Sequence, residues 1–183
     1  SVENKNMSFS ISEFRSKGLG DGGARPNLFQ ASITGAPGFP ADNAPGGFAF
    51  SCKVATIPAS TVAAFDVPYF GRQVKVTGNR TFDNLSVTII NDEAMVIRTA
   101  IEGWMADMNT HQGNEQLQIH SGASISIQHF AKSGNELDKP WIFEEVFPVS
   151  LGEIALDWGS NDAIEEFTIE FAYDYWTHGT IVT

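Results

Sequence analysis

Apolar residues in this chain alternate with polar ones at a period of two in several short runs. That spacing commits most of it to β-strands, whose successive side chains point to opposite faces. Phe48, Phe50, Cys52 and Val54 alternate with Ser51 and Lys53, and Val74 and Val76 with Gln73, Lys75 and Thr77. Leu85, Val87 and Ile89 alternate with Ser86 and Thr88, and Ile125 and Ile127 with Ser124, Ser126 and Gln128. One apolar and one polar face per run is the pattern of half-buried strands in an antiparallel sheet. Further strands are predicted over 141–149, 154–158 and 165–176. A helical period occurs once: Ile97, Ile101, Trp104, Met105 and Met108 recur at three- and four-residue steps after Asn91, Asp92 and Glu93, which suit an N-cap and the positive end of the helix dipole. Glycine and proline mark 18–23 and 34–47 as loops. The expected fold is mainly β, an antiparallel sandwich or split barrel with one packed α-helix.

At 183 residues the chain is the size of one domain. Its 22 acidic and 11 basic side chains give a formal charge of -11, which excludes nucleic-acid binding by the usual cationic route. The charge is uneven: residues 1–91 hold 8 basic and 6 acidic groups, residues 92–183 hold 3 and 16. A lone cysteine, Cys52, excludes an intramolecular disulfide framework and makes a reducing compartment the expectation. No apolar run approaches the ~18 to 20 residues that span a bilayer, and no signal-like segment opens the chain, so a soluble product made in a cytoplasm is expected.

Strand 165–176 is predicted to put Phe167, Ile169, Phe171, Tyr173 and Tyr175 on one face, and Glu166, Thr168, Glu170, Ala172 and Asp174 on the other. Three carboxylates on one side of one strand have two readings. The face is a solvated exterior, or it lines a channel or meets a basic partner. The segment 59–70, apolar at Val62, Phe65, Val67, Tyr69 and Phe70 and charged only at Asp66, is too apolar for a free loop. Either it folds onto its own core or a neighbour buries it.

Signals for chemistry are missing. His111, His120 and His129 recur at intervals of nine, which is neither a helical nor a strand-neighbour ligand spacing, and His178 stands apart, so no metal site is expected. Glu144–Glu145 and Glu165–Glu166 are adjacent on predicted strands and so point to opposite faces, which disfavours a two-carboxylate site. No nucleophile elbow, phosphate-cradling glycine loop or dinucleotide fingerprint is present, and Cys52 reads as a core residue. Neither a catalytic residue nor a cofactor is expected.

Taken together, the non-periodic residues form an ordered pattern: Arg25-Pro26-Asn27-Leu28-Phe29-Gln30; Cys52-Lys53 with Pro58-Ala59; Asn79-Arg80-Thr81-Phe82-Asp83; Asn91-Asp92-Glu93-Ala94; Gly113-Asn114-Glu115; Phe147-Pro148; Gly152-Glu153-Ile154-Ala155-Leu156-Asp157-Trp158; and Asp174-Tyr175-Trp176. In order and approximate spacing this resembles the tail tube proteins of contractile-tailed bacteriophages over most of 24–176. The resemblance implies a subunit of a six-membered ring, with strands from each copy joined into one continuous β-barrel around a lumen. It implies rings stacked helically into a hollow tube inside a contractile sheath, with baseplate and tail terminator proteins at its ends. It further implies that double-stranded DNA passes through the lumen into the host without specific binding, and that the protein belongs to the virion, is assembled in the host cytoplasm and inserts into no membrane. Residues 1–24 form a polar arm and 25–183 a single tube domain. Glu166, Glu170 and Asp174 then face the lumen or the sheath, and 59–70 is the candidate for ring stacking. The motif residues, among them Arg25, Pro26, Asn27, Phe29, Arg80, Phe82, Asp83, Asp92, Glu93, Asp157, Trp158, Tyr175 and Trp176, are expected to be mainly structural: Trp158 and Trp176 as core aromatics, Arg80 with Asp83 as a turn pair. Rival readings are the tube of a related DNA-free injection machine, and a β-sandwich carbohydrate-binding module with Trp104, Trp141, Trp158 and Trp176 as a sugar platform.

Overall fold

A computed structural model describes residues 11–14, 17, 23–42, 44, 46–109, 122–135, 139–159 and 163–179. A helical turn α1 (Ile11–Glu13) precedes β1 (Phe29–Thr34), α2 (Phe48–Ser51), β2 (Cys52–Thr56), β3 (Ser60–Tyr69), β4 (Arg72–Phe82), β5 (Leu85–Ile90) and α3 (Val96–Met108). Then follow β6 (Ser124–His129), β7 (Trp141–Glu144), β8 (Phe147–Leu151), β9 (Glu166–Ala172) and β10 (Tyr175–His178). The strands form two four-stranded antiparallel sheets, ordered β1-β6-β7-β10 and β2-β5-β9-β8, and a separate hairpin β3-β4.

The period-two faces meet between the sheets. Ala31, Ile33, Ile125, Ile127 and Phe143 of the first sheet pack with Leu85, Val87, Ile89, Phe167, Ile169 and Phe171 of the second, all buried. The apolar stripe of α3, Ile97, Ile101 and Trp104, joins that cluster. Asp92 caps the helix: its Oδ1 accepts the Val96 N–H at 3.0 Å, while Met95 takes a left-handed conformation to let the carboxylate reach. Arg98 lies over the Phe167 ring at 5.5 Å, and its Nη1 donates to the Gly152 carbonyl, tying α3 to the β8 side.

Four strand boundaries differ from the sequence reading. The predicted strand through Phe48 begins as a helical turn, with the Phe50 and Ser51 amides bonded to the Gly47 carbonyl. Phe48 is therefore buried while Phe50 is 77% exposed, where a strand would have put them on one face. The run 141–149 is two strands in different sheets, separated at Glu145, which has φ 54°, and Val146, whose N–H bonds to Ala123. The run 154–158 is no strand: Gly152 makes the last ladder bond to Thr168 O, at an approach so close that a Cβ would meet that oxygen at 2.7 Å. The predicted strand 165–176 breaks at Tyr173 and Asp174, and β10 crosses to the other sheet, where the Asp174 N–H donates to Glu144 O. These two crossovers lie side by side and form a corner of a split barrel.

Candidate assembly surfaces

Each four-stranded sheet ends in strands with one unpaired backbone edge, β1 and β10 in the first and β2 and β8 in the second. Edges of this kind are templates for pairing with another chain, and closing them in a ring is one way to remove them.

Beyond the body projects the hairpin. Strands of ten and eleven residues extend β2 and β5 past the end of their sheet, a reach of roughly 33 Å at 3.3 Å per residue. The register pairs Phe65 with Val76 and Val67 with Val74; a bulge at Gly78 and Asn79 of β4, opposite Ala63, leaves Val62 and its partner Arg80 on the side of Ala64 and Asp66. One face thus carries Phe65, Val67, Tyr69, Val74 and Val76, with Arg72 at its tip end; the other carries Asp66 and Lys75, an ion pair at 3.7 Å, with Gln73 and Thr77, and, against the sequence reading, Val62 opposite Arg80. The five apolar side chains of the first face are 39–65% exposed. The root is anchored by Phe82 against Tyr173 at 5.9 Å between ring centroids. A two-stranded hairpin alone is marginal in water. Of the two fates open to 59–70, folding onto its own core is not the one it takes. Sequence reading singled out the β3 half of this face, grouped with it Val62, which lies on the other face, and missed Val74 and Val76, although their alternation was visible; what it lacked was the register.

The acidic face is smaller than the sequence implied. Asp174 sits at the sheet-switching corner and does not share a face with Glu166 and Glu170. Those two lie on the outer face of the second sheet with Thr168 between them, roughly 13 Å apart along the strand, beyond the ~8 to 10 Å Debye length. Glu166 forms an ion pair with Lys53. Glu170 stands between Ser86 on β5 and Ser150 on β8.

The model of a family described as phage tail tube protein matches residues 24–179, most of the chain. The chain belongs to that family. It is 35% identical over 159 residues to the tail tube protein gp19 of Enterobacteria phage T4, covering 84% of this chain and 90% of the relative, and 34% identical over 159 residues to that of phage T6. The fold is that of the extracellular contractile injection system PVC sheath-tube complex, at TM-score 0.62 and 18% identity over 95% of this chain and 100% of that one. It also matches a chain of the anti-feeding prophage baseplate, at TM-score 0.62 and 15% identity over 87% and 97%. The chain is therefore a structural component of a phage tail, and so of the virion.

Within this member of the tail tube family the motif residues have separate places. Arg25, Pro26 and Asn27 are exposed at the approach to β1, with the Leu28 amide bonded to Arg25 O, and Phe29 packs on the core. Glu93 is exposed beside the capping Asp92. Trp176 packs against the core and Tyr175 is half exposed. Trp158 is not a core aromatic: it is 99% exposed on a turn that Asp157 closes by accepting the Gly159 N–H. Arg80 faces Val62, and no ion pair to Asp83 occurs among the described residues. With Trp104 buried, Trp141 and Trp176 packed inward and Trp158 alone outside, no sugar platform exists. His129 and His178 flank the Trp141 ring at 5.3 and 4.5 Å, whereas His111 and His120, like Gly113-Asn114-Glu115, lie outside the described residues.

Burial pushes the Cys52 thiol up from 9.0 to about 12, so it is a neutral core group. The folded state holds this proton to higher pH than the unfolded chain. Its contribution to stability is thus present below pH 9.0 and lost as pH rises toward about 12. Native protein at pH 8 is expected to react with a disulfide reagent at least about tenfold more slowly than urea-unfolded protein, measured as released thiolate. Equal rates would contradict a buried thiol.

Proposed function

We propose that six copies close into a ring by pairing β2 and β8 edges, and that rings stack through the β3-β4 hairpin into the hollow inner tube of a contractile tail. In this reading a polar arm over 1–24 precedes one tube domain over 25–183. The tube is assembled in the host cytoplasm inside a sheath, between baseplate and terminator, and passes DNA into the host without entering a membrane itself. The hairpin carries the reading: it is a projecting element with an apolar face that nothing described in the subunit covers, which is the form of an element awaiting another copy. A tail tube identity at 35% over most of the chain supports it.

The second sheet is the proposed lumen wall. Its outer face bears Ser86, Thr88, Thr168, Ser150, Glu166 and Glu170, and its cation near Glu166, Lys53, is already paired. Hydroxyls and carboxylates give phosphate nothing to exchange counterions with, so a duplex slides on water. Asp174, off this face, is left to the outside.

Introducing Thr168→Lys with Glu170→Lys is expected to slow DNA ejection by about tenfold or more in low salt, with recovery as salt rises, because each new phosphate contact adds a counterion-release term. Asp174→Lys in the same virion is the control and is expected to eject normally. Normal ejection by the double variant with loss of sheath attachment would move this sheet to the exterior. The likeness to contractile injection system tubes keeps one second reading, a tube that carries no DNA; a packaged genome in the same particle distinguishes them.

A further inference from the structure

We infer that Phe70 at the hairpin tip, with Arg72 beside it, is a plug for the apolar pocket along α3 of a second copy of this chain in the adjoining ring. The inference rests on the stacking reading above and names the receptor that reading leaves open. Phe70 and Gly71 have φ of 44° and 76°, both left-handed, as the two central residues of a type I′ turn require. That first position ordinarily belongs to Asn, Asp or Gly, and a phenylalanine there is strained. Little among the described residues rewards the choice: Phe70 is 91% exposed, its ring set edge-on to that of Tyr69 at 4.6 Å.

A matching receptor lies on the same molecule. A pocket of about 450 Å³ beside α3 is lined by Gly38, Val96, Ala100, Gly103 and Trp104, with Asp107 as its charged residue. Apolar cavities of roughly 150 Å³ already admit a benzene ring. Gly103 occupies the interior of α3, where glycine weakens a helix, and a Cβ built there meets nothing within 4 Å. The pocket is open where that side chain is missing.

Topology points the plug at the pocket. Strand β5 leaves the hairpin at Leu85 and leads into α3 after Ile90, so tip and pocket belong to opposite poles of the subunit. Head-to-tail stacking brings the hairpin pole of each copy against the helix pole of the next. Charge agrees: Arg72 and Asp107 each lack an ion pair among the described residues and are opposite in sign.

The test follows tube formation by purified protein as a critical concentration, read by pelleting and electron microscopy. Phe70→Asn relaxes the turn but removes the plug, Gly103→Phe fills the receptor, and Arg72→Asp or Asp107→Arg opposes like charges. Each is expected to raise the critical concentration about tenfold or more, while the melting midpoint of the dispersed subunit is unchanged or, for Phe70→Asn, raised. Arg72→Asp combined with Asp107→Arg is expected to return to within about threefold of wild type. If Gly103→Phe polymerises like wild type, or the charge-exchanged pair assembles no better than either single variant, the plug is overturned. Loss of tubes in Val67→Asp alone would then leave stacking standing with a different receptor, whereas wild-type protein that never forms tubes overturns both. Assembly of Gly103→Phe restored by deleting residues 1–10 would give the pocket to the arm and also overturn the inference.

Discussion

Replacing Val67 with Asp is expected to abolish tube formation while leaving the subunit folded. Val67 lies at the centre of the hairpin's apolar face, opposite Val74, and is 42% exposed, so the isolated subunit loses little by the change. Substitutions at such sites fall within about 0.5 kcal/mol, which moves the melting midpoint of a domain this size by roughly 2 °C. In a stack the balance reverses. Completing the burial of a large apolar side chain contributes roughly 1 kcal/mol, and the face presents five of them from each copy. A carboxylate in their midst, without a cation or hydrogen-bond donor, costs several kcal/mol in every subunit. Sedimentation velocity with electron microscopy reads the result: dispersed, folded protein is expected, and normal tubes would mean that this face stays in water.

Trp104→Ala is expected to act the other way, on the subunit before assembly. The indole is 2% exposed, packs edge-on to Phe39 at 6.2 Å, and joins α3 to the core shared by both sheets. Large-to-small changes at such positions cost about 3 to 5 kcal/mol, from lost transfer energy and from the cavity left behind. For a domain of this size that lowers the melting midpoint on the order of 10 °C. Calorimetry of the dispersed subunit measures it, and a fall below about 3 °C would show that α3 is not part of the cooperative core.

What the sequence revealed of this architecture divides by the range of the forces involved. Period-two alternation placed β5 and β6 correctly, and the three- and four-residue steps placed α3, because those patterns report a single buried face, a local property. The helical turn at 48–51 was hidden by a chance alternation of Phe48 and Phe50, decided instead by the Gly47 carbonyl capturing the Ser51 amide. Crossovers at Glu145 and Asp174 were invisible, since each depends on a bond to a residue remote in sequence, Val146 to Ala123 and Asp174 to Glu144. That is why three carboxylates seemed to share one strand. For the candidate surfaces, the apolar character of Val62, Phe65, Val67, Tyr69 and Phe70 was legible. The union of Phe65, Val67 and Tyr69 with Val74 and Val76 on one face, and the placing of Val62 with Arg80 on the other, needed the hairpin register and its bulge. The exposure of Trp158 was not legible at all, because an aromatic near a strand pattern looks the same inside or out.

That copies of this chain build a pipe is tested most directly by electron cryo-microscopy of the purified protein polymerised at high concentration. Six subunits around an open bore are expected in each ring, with β3-β4 buried between successive rings and Glu170 on the bore. Solid filaments, or a bore lined by lysine and arginine with the hairpin left in solvent, would contradict it.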